Sequence, residues 1–396
     1  WQRTVTCGAL TEADERREVT LNGWVENRRD HGGIFFLDVR DRYGVTPVVV
    51  DEEAQAALLA TVRELAAESV VAVRGTVRRR APRQVNPNRI TGAVEVLARE
   101  IEVLAPCRPV PFEIVDRVET SLETRLRYRY LDLRRRPMLR ALELRSRFLH
   151  AVRAYLHGRE FMEVETPVLT KATPEGARDY LVPSRVHPGK FYALPQSPQL
   201  FKQLLMVGGV DRYYQIARCF RDEDLRADRQ PDFTQIDLEM SFVEEEDVLT
   251  LVEGMVRHAF LEGFGIELAE PFPRLTWAEA RLRYGSDKPD LRFGLQIQDL
   301  GGLAAASAFP VFAQAAASGG VVRALVVPGG GERLSRKALE SLEQVARENG
   351  AAGLAWLKRE GAEARGPLAR FYGGDALAEF SGRSEEHTSE LQSRQV

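Results

Sequence analysis

Two β-strand patterns on either side of a strongly charged loop constrain the fold of this chain more than any other feature. Residues 213–220 and 233–242 are rich in aromatic and β-branched side chains, whereas residues 222–232 are mostly charged. Strand patterns separated by such a loop predict an antiparallel hairpin. Arg221 and Glu223 lie where the first strand leaves for the loop.

The chemistry of these two residues favours a nucleotide ligand. The planar guanidinium of Arg221 can bind two oxygens of one phosphate, and Glu223, two residues further on, points to the same side and can accept from an amine. Taken alone, the Arg-Asp-Glu-Asp string is more typical of a solvated hairpin tip with paired charges. The longer string around these residues decides between a nucleotide site and a solvated hairpin tip.

That string is RCFRDEDLRADRQPDFTQIDLEMSF, from Arg218 to Phe242. Phe-Arg-x-Glu, a loop, and then Phe-Thr-Gln-Ile-Asp resembles the second signature motif of class II aminoacyl-tRNA synthetases. The full wording is similar to that of the bacterial aspartyl-tRNA synthetase family. The resemblance implies that the hairpin carries an ATP site.

Composition limits the class of protein. With 396 residues, 44% hydrophobic and 29% charged, the chain is predicted to form two to three soluble domains. Three widely spaced cysteines predict neither a disulfide framework nor a zinc cluster. We find no membrane-length apolar run and no leader, so a cytoplasmic protein without membrane contact is expected. The chain opens at Trp1 rather than Met, which weakens the argument from a missing leader.

The net charge of −3 is unevenly distributed. Residues 121–160 contain eleven arginines against four acids, and a second cluster comprises Arg78, Arg79, Arg80 and Arg83. Such runs provide basic surface for phosphates, although each also fits a solvated helix or loop face.

The first 105 residues predict an OB-fold barrel. Five strand patterns cover residues 19–25, 34–39, 45–50, 70–77 and 94–104, with a helical pattern at 52–68 after the third. OB folds bind single-stranded nucleic acid by stacking bases on aromatic side chains beside basic ones. Arg28, Arg29 and Phe35 are the candidates, since one of the adjacent residues Phe35 and Phe36 must face outward.

The strings GWVENRRDHGG and LDVRDRYG resemble the barrel of the same family, which reads the tRNA anticodon. The resemblance implies that Arg28, His31, Phe35 and Pro47 lie at the anticodon. The family usually has Gln where this chain has Pro47, so altered anticodon reading is expected.

The prolines after Leu104 predict a linker, and apolar positions within residues 138–157 predict a helix. The string FMEVETP, residues 161–167, resembles the first class II motif, which forms the homodimer interface in that family. Together these features predict a multidomain α+β protein: an OB-fold β-barrel, a class II antiparallel-sheet catalytic domain and part of an α/β insertion domain. The expected boundaries are 1–105 for the anticodon-binding domain, 106–137 for the hinge, 138–290 for the catalytic domain, 291–382 for the partial insertion domain and 383–396 for a non-native tail.

Two further strings, LTKATPEGARDYLVPSR and FYALPQSPQLFKQLLM, match the family around its substrates. The resemblance assigns aspartate binding to Glu175, Ser197, Gln199, Lys202, Arg221 and Asp237, and ATP binding to Arg221, Asp222, Glu223 and Gln230. Arg221 and Glu223 are the implied catalytic residues. ATP is expected to arrive with Mg²⁺, and no metal ligand is expected within this chain.

Lys202 is the discriminating residue in physical terms. A buried cation that satisfies a substrate carboxylate is left unpaired against a neutral amide, at a cost of roughly several kcal/mol. This favours aspartate over asparagine. The implied reaction is ATP-dependent formation of aspartyl-adenylate, followed by transfer of aspartate to the 3′ end of tRNA(Asp), with extension to tRNA(Asn) suggested by His31 beside Pro47.

The resemblance extends from about Arg3 to about Phe380. Neither the third signature motif nor the second substrate-binding arginine is found in the sequence, and RSEEHTSELQS near the end resembles a translated sequencing adapter. We therefore expect a fragment that binds tRNA weakly and lacks full activity. Two alternatives remain: a sister synthetase for asparagine or lysine, and a non-catalytic OB protein that binds tRNA or single-stranded nucleic acid.

Overall fold

The structure, a computed structural model, describes residues 1–371 except 52, 174, 225–228, 307 and 361–362. The chain divides into two units, Trp1–Ala269 and Glu270–Val396. The second unit thus begins ahead of residue 291, where the insertion domain was expected. The predicted tail at 383–396 lies outside the described residues.

The first unit opens with a closed five-stranded barrel in the order β1-β2-β3-β5-β4. Its strands are β1 Glu18–His31, β2 Ile34–Arg40, β3 Val45–Val50, β4 Val70–Arg79 and β5 Val94–Ala105. The helix α1, Ala56–Glu64, connects β3 to β4 and is shorter than the predicted 52–68. Within α1 only Leu58 and Val62 are buried, about one turn apart. The predicted OB-fold is confirmed.

The arginine-rich segment after the barrel folds around one buried carboxylate. It forms the helices α2 Leu122–Arg127, α3 Arg129–Asp132 and α4 Arg136–His157. Asp132 is fully buried and pairs with Arg135 at 2.7 Å, with Arg125 at 3.6 Å and with Arg129. Burial alone would raise the pKa of Asp132, but these cations lower it below its ordinary value. Part of the predicted basic surface is therefore internal structure.

A second buried ion cluster joins the barrel to this segment. Arg40 on β2 pairs with both oxygens of Glu68 at 2.8 and 2.9 Å, and Arg134 donates to Glu68 at 2.8 Å. The guanidinium of Arg134 also lies 5.1 Å from the ring centroid of Trp24 on β1. Arg40 also lies 3.5 Å from Glu26. Arg40 and Glu68 are both buried, so their charges are compensated within this cluster.

The remainder of the first unit surrounds a three-stranded sheet in the order β10-β9-β6. Its elements are β6 Met162–Glu163, β7 Leu181–Pro183, β8 Phe191–Ala193, α5 Gln199–Val207, β9 Arg212–Phe220, β10 Asp232–Met240 and α6 Glu245–Phe264. The helices α4 and α6 cover one face of this sheet, where Val152 and Met255 pack with Tyr214, Ile236 and Leu238. The predicted hairpin and the helix at 138–157 are confirmed.

The second unit contains short elements. They are α7 Trp277–Tyr284, β11 Ile297–Asp299, α8 Gly301–Ala305, α9 Pro310–Ala317, β12 Arg323–Leu325, α10 Gly330–Arg333, α11 Arg336–Glu348, β13 Lys358–Glu360 and β14 Glu363–Arg365. The Ser335 hydroxyl caps α11 by accepting from the N–H of Ala338. Leu357, just ahead of β13, packs against Leu368 in a small core.

None of the helices in the described part of the chain is long and apolar enough to cross a membrane.

Candidate active site

The sheet face opposite α4 and α6 carries the candidate active site. Along β9 and β10 side chains alternate between the two faces, and the register pairs Gln215 with Asp237, Tyr213 with Glu239, and Cys219 with Phe233. All of these odd-numbered residues face away from the helix-covered core. In the string DFTQIDLEM, Ile236, Leu238 and Met240 therefore pack in the core. Asp237 and Glu239 face the candidate site.

Lys202, on α5, reaches this face. Its Nζ lies 2.9 Å from Asp237 Oδ1 and 3.1 Å from Glu239 Oε2. Burial lowers the pKa of the lysine, but the hydrogen bonds and charges of the two carboxylates outweigh burial and raise it above its ordinary value. Lys202 is therefore a permanent cation held between two acids. The structure brings Lys202 and Asp237, two members of the predicted aspartate-binding set, into contact.

Ser197 and Glu175 form a second contact of the predicted set. The Ser197 hydroxyl donates to Glu175 Oε2 at 2.7 Å and accepts from the backbone N–H of Gln199 at 3.2 Å. Thr173 Oγ1 also donates to Glu175, at 3.3 Å. Glu175 is exposed, so one carboxylate stands at the rim of the site while Asp237 lies buried within it.

Arg221 follows β9 directly, at the base of the hairpin loop. Its guanidinium lies 5.1 Å from the centroid of the Phe233 ring, which orients it by a cation–π contact. The backbone N–H of Asp222 donates to the carbonyl of Arg178 at 3.0 Å. Glu223 and Gln230 are exposed on the loop. The side chain of Arg221, the residue predicted to bind phosphate, is thus held against the Phe233 ring.

Two buried atoms of the site have unused hydrogen-bonding capacity. Asp237 Oδ2, an acceptor, and Arg221 Nε, a donor, are both shielded from solvent and make no hydrogen bond to any residue that the structure describes. Buried polar groups in native proteins are nearly always satisfied, so such atoms suggest a ligand. The acceptor suits an ammonium and the donor suits an anion.

Cys219 lies between these groups. Burial, reinforced by the charge of Asp237, raises the pKa of its thiol to about 11, and the charge of Arg221 opposes that rise. The thiol is fully buried, lies 3.3 Å from Gln235 Oε1 and stays neutral at physiological pH. It therefore fills space within the site and is no nucleophile.

Sequence reasoning missed several residues of this face. Glu239 is the second partner of Lys202, and Gln215 Oε1 accepts from Tyr213 at 2.9 Å and from Thr166 at 2.9 Å. The two-residue alternation of DFTQIDLEM was the signal that would have found Glu239. Among the described residues, no group of three or more His, Cys, Asp or Glu side chains is placed to hold a metal ion.

The candidate anticodon face of the barrel requires a correction. Phe35 is 2% exposed and belongs to the barrel core, so its predicted stacking contact with a base is wrong. The outward residue is Phe36, and the ring of His31 packs edge-on against it at 5.5 Å between centroids. Pro47, opposite Asp38 on the neighbouring strand, is also buried and presents no free surface to a base.

Arg28 and Arg29 are exposed on β1. Arg28 donates to the carbonyls of Val62 and Arg63, which ties it to the end of α1. Arg29 lies 3.2 Å from the buried carboxylate of Asp38. Both cations keep solvent access on the strand that carries His31.

Comparison with known proteins agrees with this arrangement. Residues 121–389 match the family model described as tRNA synthetases class II (D, K and N), and residues 19–104 match the OB-fold nucleic acid binding domain. The chain belongs to the class II tRNA synthetases. The family predicted from the hairpin motif is confirmed, as is the combination of an OB-fold barrel with a class II catalytic domain.

Curated relatives of this synthetase chain are close in sequence. This chain is 54% identical, over 94% of its own length, to an aspartate–tRNA ligase of Geobacillus kaustophilus. It is 55% identical, over 93% of its own length, to an aspartate–tRNA(Asp/Asn) ligase of Moorella thermoacetica. The chain spans 63% and 61% of the lengths of these two relatives.

A solved structure shows the same fold. The asparaginyl-tRNA synthetase of Pyrococcus horikoshii, complexed with asparaginyl-adenylate, superposes with a TM-score of 0.59 at 23% identity. The match covers 67% of this chain and 59% of that one.

Proposed function

We propose that the complete protein is an aspartate–tRNA ligase, which activates L-aspartate with ATP and transfers it to the 3′ end of tRNA(Asp). One observation carries the proposal: beside Lys202 and the hairpin loop, Asp237 Oδ2 and Arg221 Nε are buried and make no hydrogen bond to a residue that the structure describes. An amino acid activated by a nucleotide supplies both an ammonium and a phosphate. The names of the curated relatives support the choice of aspartate.

Charge arrangement accounts for the amino acid. The substrate ammonium would take the free oxygen of Asp237, with Glu175 at the rim, while the side-chain carboxylate would bind Lys202. Ser197 and Gln199 stand at the start of the helix that presents Lys202 and complete the predicted aspartate set. Asparagine would offer Lys202 a neutral amide in place of a carboxylate, while Asp237 and Glu239 stay beside the lysine. The loss of the charged contact with the substrate is the basis for rejecting asparagine.

The nucleotide would lie at the base of the hairpin loop. Arg221, held against the ring of Phe233, would bind the α-phosphate, and Mg²⁺ would enter with ATP as part of the substrate. Asp222, Glu223 and Gln230 complete the predicted ATP contacts. The α-carboxylate of aspartate attacks the α-phosphorus and expels pyrophosphate, so the protein supplies position and charge but no nucleophile.

The decisive experiment is aspartate-dependent pyrophosphate exchange, measured on the gene product at the full length of its relatives. We expect a preference for aspartate over asparagine of at least about 10³-fold. Lys202→Met is expected to reduce that ratio towards one, whereas Lys190→Met, at an exposed lysine, leaves it unchanged. The ratio does not depend on the folded fraction. Exchange with asparagine or lysine but not aspartate would refute the proposal.

A second candidate is that the same enzyme also aminoacylates tRNA(Asn). It is favoured by the His31 and Phe36 rings, which pack together at the outer face of the barrel where an anticodon would lie. The Moorella relative is named for both tRNAs. Charging assays with the two purified tRNAs test the idea, and strict rejection of tRNA(Asn) would exclude it.

We also infer a homodimer and a cytoplasmic location, where tRNA and ATP are found. Large apolar side chains are exposed on and near β6 and α5, among them Met162 at 57%, Leu204 at 64% and Val207 at 87%. Apolar surface of this kind is typical of an interface between copies. Light scattering measures the mass, and a monomer at micromolar concentration would refute the dimer.

The non-catalytic OB alternative predicts a different result. It requires that the chain bind single-stranded RNA through the barrel but neither aspartate nor ATP. Calorimetric titration of the full-length product with ATP·Mg²⁺ and aspartate decides between them.

A further inference from the structure

Gln196, immediately before Ser197, is buried and was not predicted to have a role. It is 1% exposed, and its side chain contacts a segment that precedes it by nearly twenty residues. Its Nε2 donates to the carbonyl of Ala177 at 2.8 Å and to Asp179 Oδ1, and its Oε1 accepts from the N–H of Ala177 at 3.1 Å. The amide therefore uses both donor and acceptor on the Ala177–Asp179 segment.

This segment contacts the two halves of the site. Asp179 Oδ2 accepts from the N–H of Thr173, whose hydroxyl in turn donates to Glu175. The carbonyl of Arg178 accepts from the N–H of Asp222 at 3.0 Å, and Arg178 Nε donates to the carbonyl of Asp222 at 3.3 Å. One short segment thus supports the residue proposed for the aspartate ammonium and the residue next to Arg221.

We propose that Gln196 is a positioning residue that couples the aspartate side of the site to its ATP side, by holding the Ala177–Asp179 segment against Asp222. This inference rests on the proposed function, because the names aspartate side and ATP side assume that the site binds these two substrates. The coupling itself is a property of the ligand-free protein. Its test needs no substrate, so its failure is distinguishable from failure of the ligase proposal.

The chemistry makes Gln196 hard to replace. Leucine or methionine would leave both backbone groups of Ala177 and one oxygen of Asp179 without their partner in a buried place. Glutamate would keep the acceptor but lose the donor, and it would set a second carboxylate against Asp179. A matched exchange is available, because Asn at position 179 can donate to Glu at position 196.

The experiment is amide hydrogen exchange on the 396-residue chain, resolved to single residues. We expect Gln196→Ala and Gln196→Glu to speed exchange at the Ala177 and Asp222 amides by at least about tenfold. The β9–β10 ladder amides are expected to keep their wild-type rates. In the double variant Gln196→Glu/Asp179→Asn the contact between positions 196 and 179 is restored but the Ala177 carbonyl still lacks its donor, so protection at Asp222 is expected to return in part. Gln203→Ala, at an exposed position on α5, is the control and is expected to change neither amide.

Three outcomes would overturn the proposal. Faster exchange at Ala177 with an unchanged rate at Asp222 would show that the two sides are not coupled through this segment. Unchanged rates at both amides would show that Gln196 holds nothing in place. Equal acceleration throughout the β9–β10 ladder, without recovery in the double variant, would assign Gln196 a general structural role.

Discussion

Replacing Lys202 by methionine is expected to loosen the hairpin by a calculable amount. Methionine keeps much of the apolar stem but removes the charge, which leaves the carboxylates of Asp237 and Glu239 facing each other. The Asp237 side chain is 9% exposed and that of Glu239 is 30% exposed. Breaking a buried pair costs about 3–5 kcal/mol, and the partial hydration of Glu239 favours the lower figure. About 3 kcal/mol corresponds to roughly 150-fold in an opening equilibrium.

Thiol labelling measures that equilibrium without a substrate. Cys219 is fully buried on β9 and its raised pKa keeps it unreactive, so it is labelled only when the hairpin opens. With slow reagents the labelling rate follows the opening equilibrium. Cys7, fully buried in the barrel, serves as the internal reference in the same peptide map. We expect Lys202→Met to accelerate labelling of Cys219 while Cys7 keeps its wild-type rate.

Two variants complete the test. Adding Asp237→Asn and Glu239→Gln to Lys202→Met removes the uncompensated charges and should restore most of the protection. Lys190→Met removes an exposed lysine and should change nothing. A labelling rate for Cys219 in Lys202→Met within about threefold of wild type would refute the reasoning. Equal acceleration at Cys7 would refute it as well.

Three further predictions concern the barrel and the sheet. Phe36→Ala should weaken binding of an anticodon-loop RNA by about 1–3 kcal/mol, measured by fluorescence anisotropy. Phe35→Ala should instead lower the stability of the barrel by about 3–5 kcal/mol, measured by urea unfolding. The reverse pattern would contradict the assignment of Phe36 to the outer face and Phe35 to the core. Glu68→Ala should destabilise the barrel by about 3 kcal/mol, because it leaves the buried guanidinium of Arg40 with its longer contact, 3.5 Å to Glu26. Glu100→Ala, in an exposed pair, should cost less than about 0.5 kcal/mol, and similar losses would contradict this. Burial and a hydrogen bond to a glutamate raise the pKa of Tyr214 to about 12. Since the unfolded phenol ionises near pH ~10, stability should fall as pH rises from there to about 12. Tyr214→Phe should show a shallower decline in urea midpoints, and an unchanged slope would count against it.

The barrel could be predicted from the sequence because its strands either alternate between apolar and polar residues or, like β3, are apolar almost throughout. Strand β3 was predicted with its observed bounds, Val45–Val50. In β2 the alternation also shows which of the two phenylalanines is buried. Leu37 and Val39 point to the same side of the strand as Phe35, and all three lie in the core. The prediction that Phe35 contacts a base is wrong because it leaves out this alternation along the strand.

The hairpin of β9 and β10 was predictable for a different reason, namely a long motif that fixes residue types around the loop. Contacts between distant segments were not predictable. Gln196 binds mainly backbone atoms, and a contact with the backbone does not depend on which residue supplies it. The arginines around Asp132 have the sequence pattern of a basic surface, and only the fold shows that Asp132, at 0% exposure, pairs with them in the interior. In the second unit the strands are only three residues long, too short for periodicity to define them.

The division of β10 into two faces couples the hairpin's chemistry to its fold. A slip of one residue against β9 would turn Ile236 and Leu238 towards Lys202 and place Asp237 and Glu239 beneath α6. Two carboxylates would then lie in an apolar core without a cation, at a cost of several kcal/mol. The carboxylates of the candidate site thereby disfavour the misaligned hairpin. The charges proposed to bind substrate therefore also fix the register of β10 against β9.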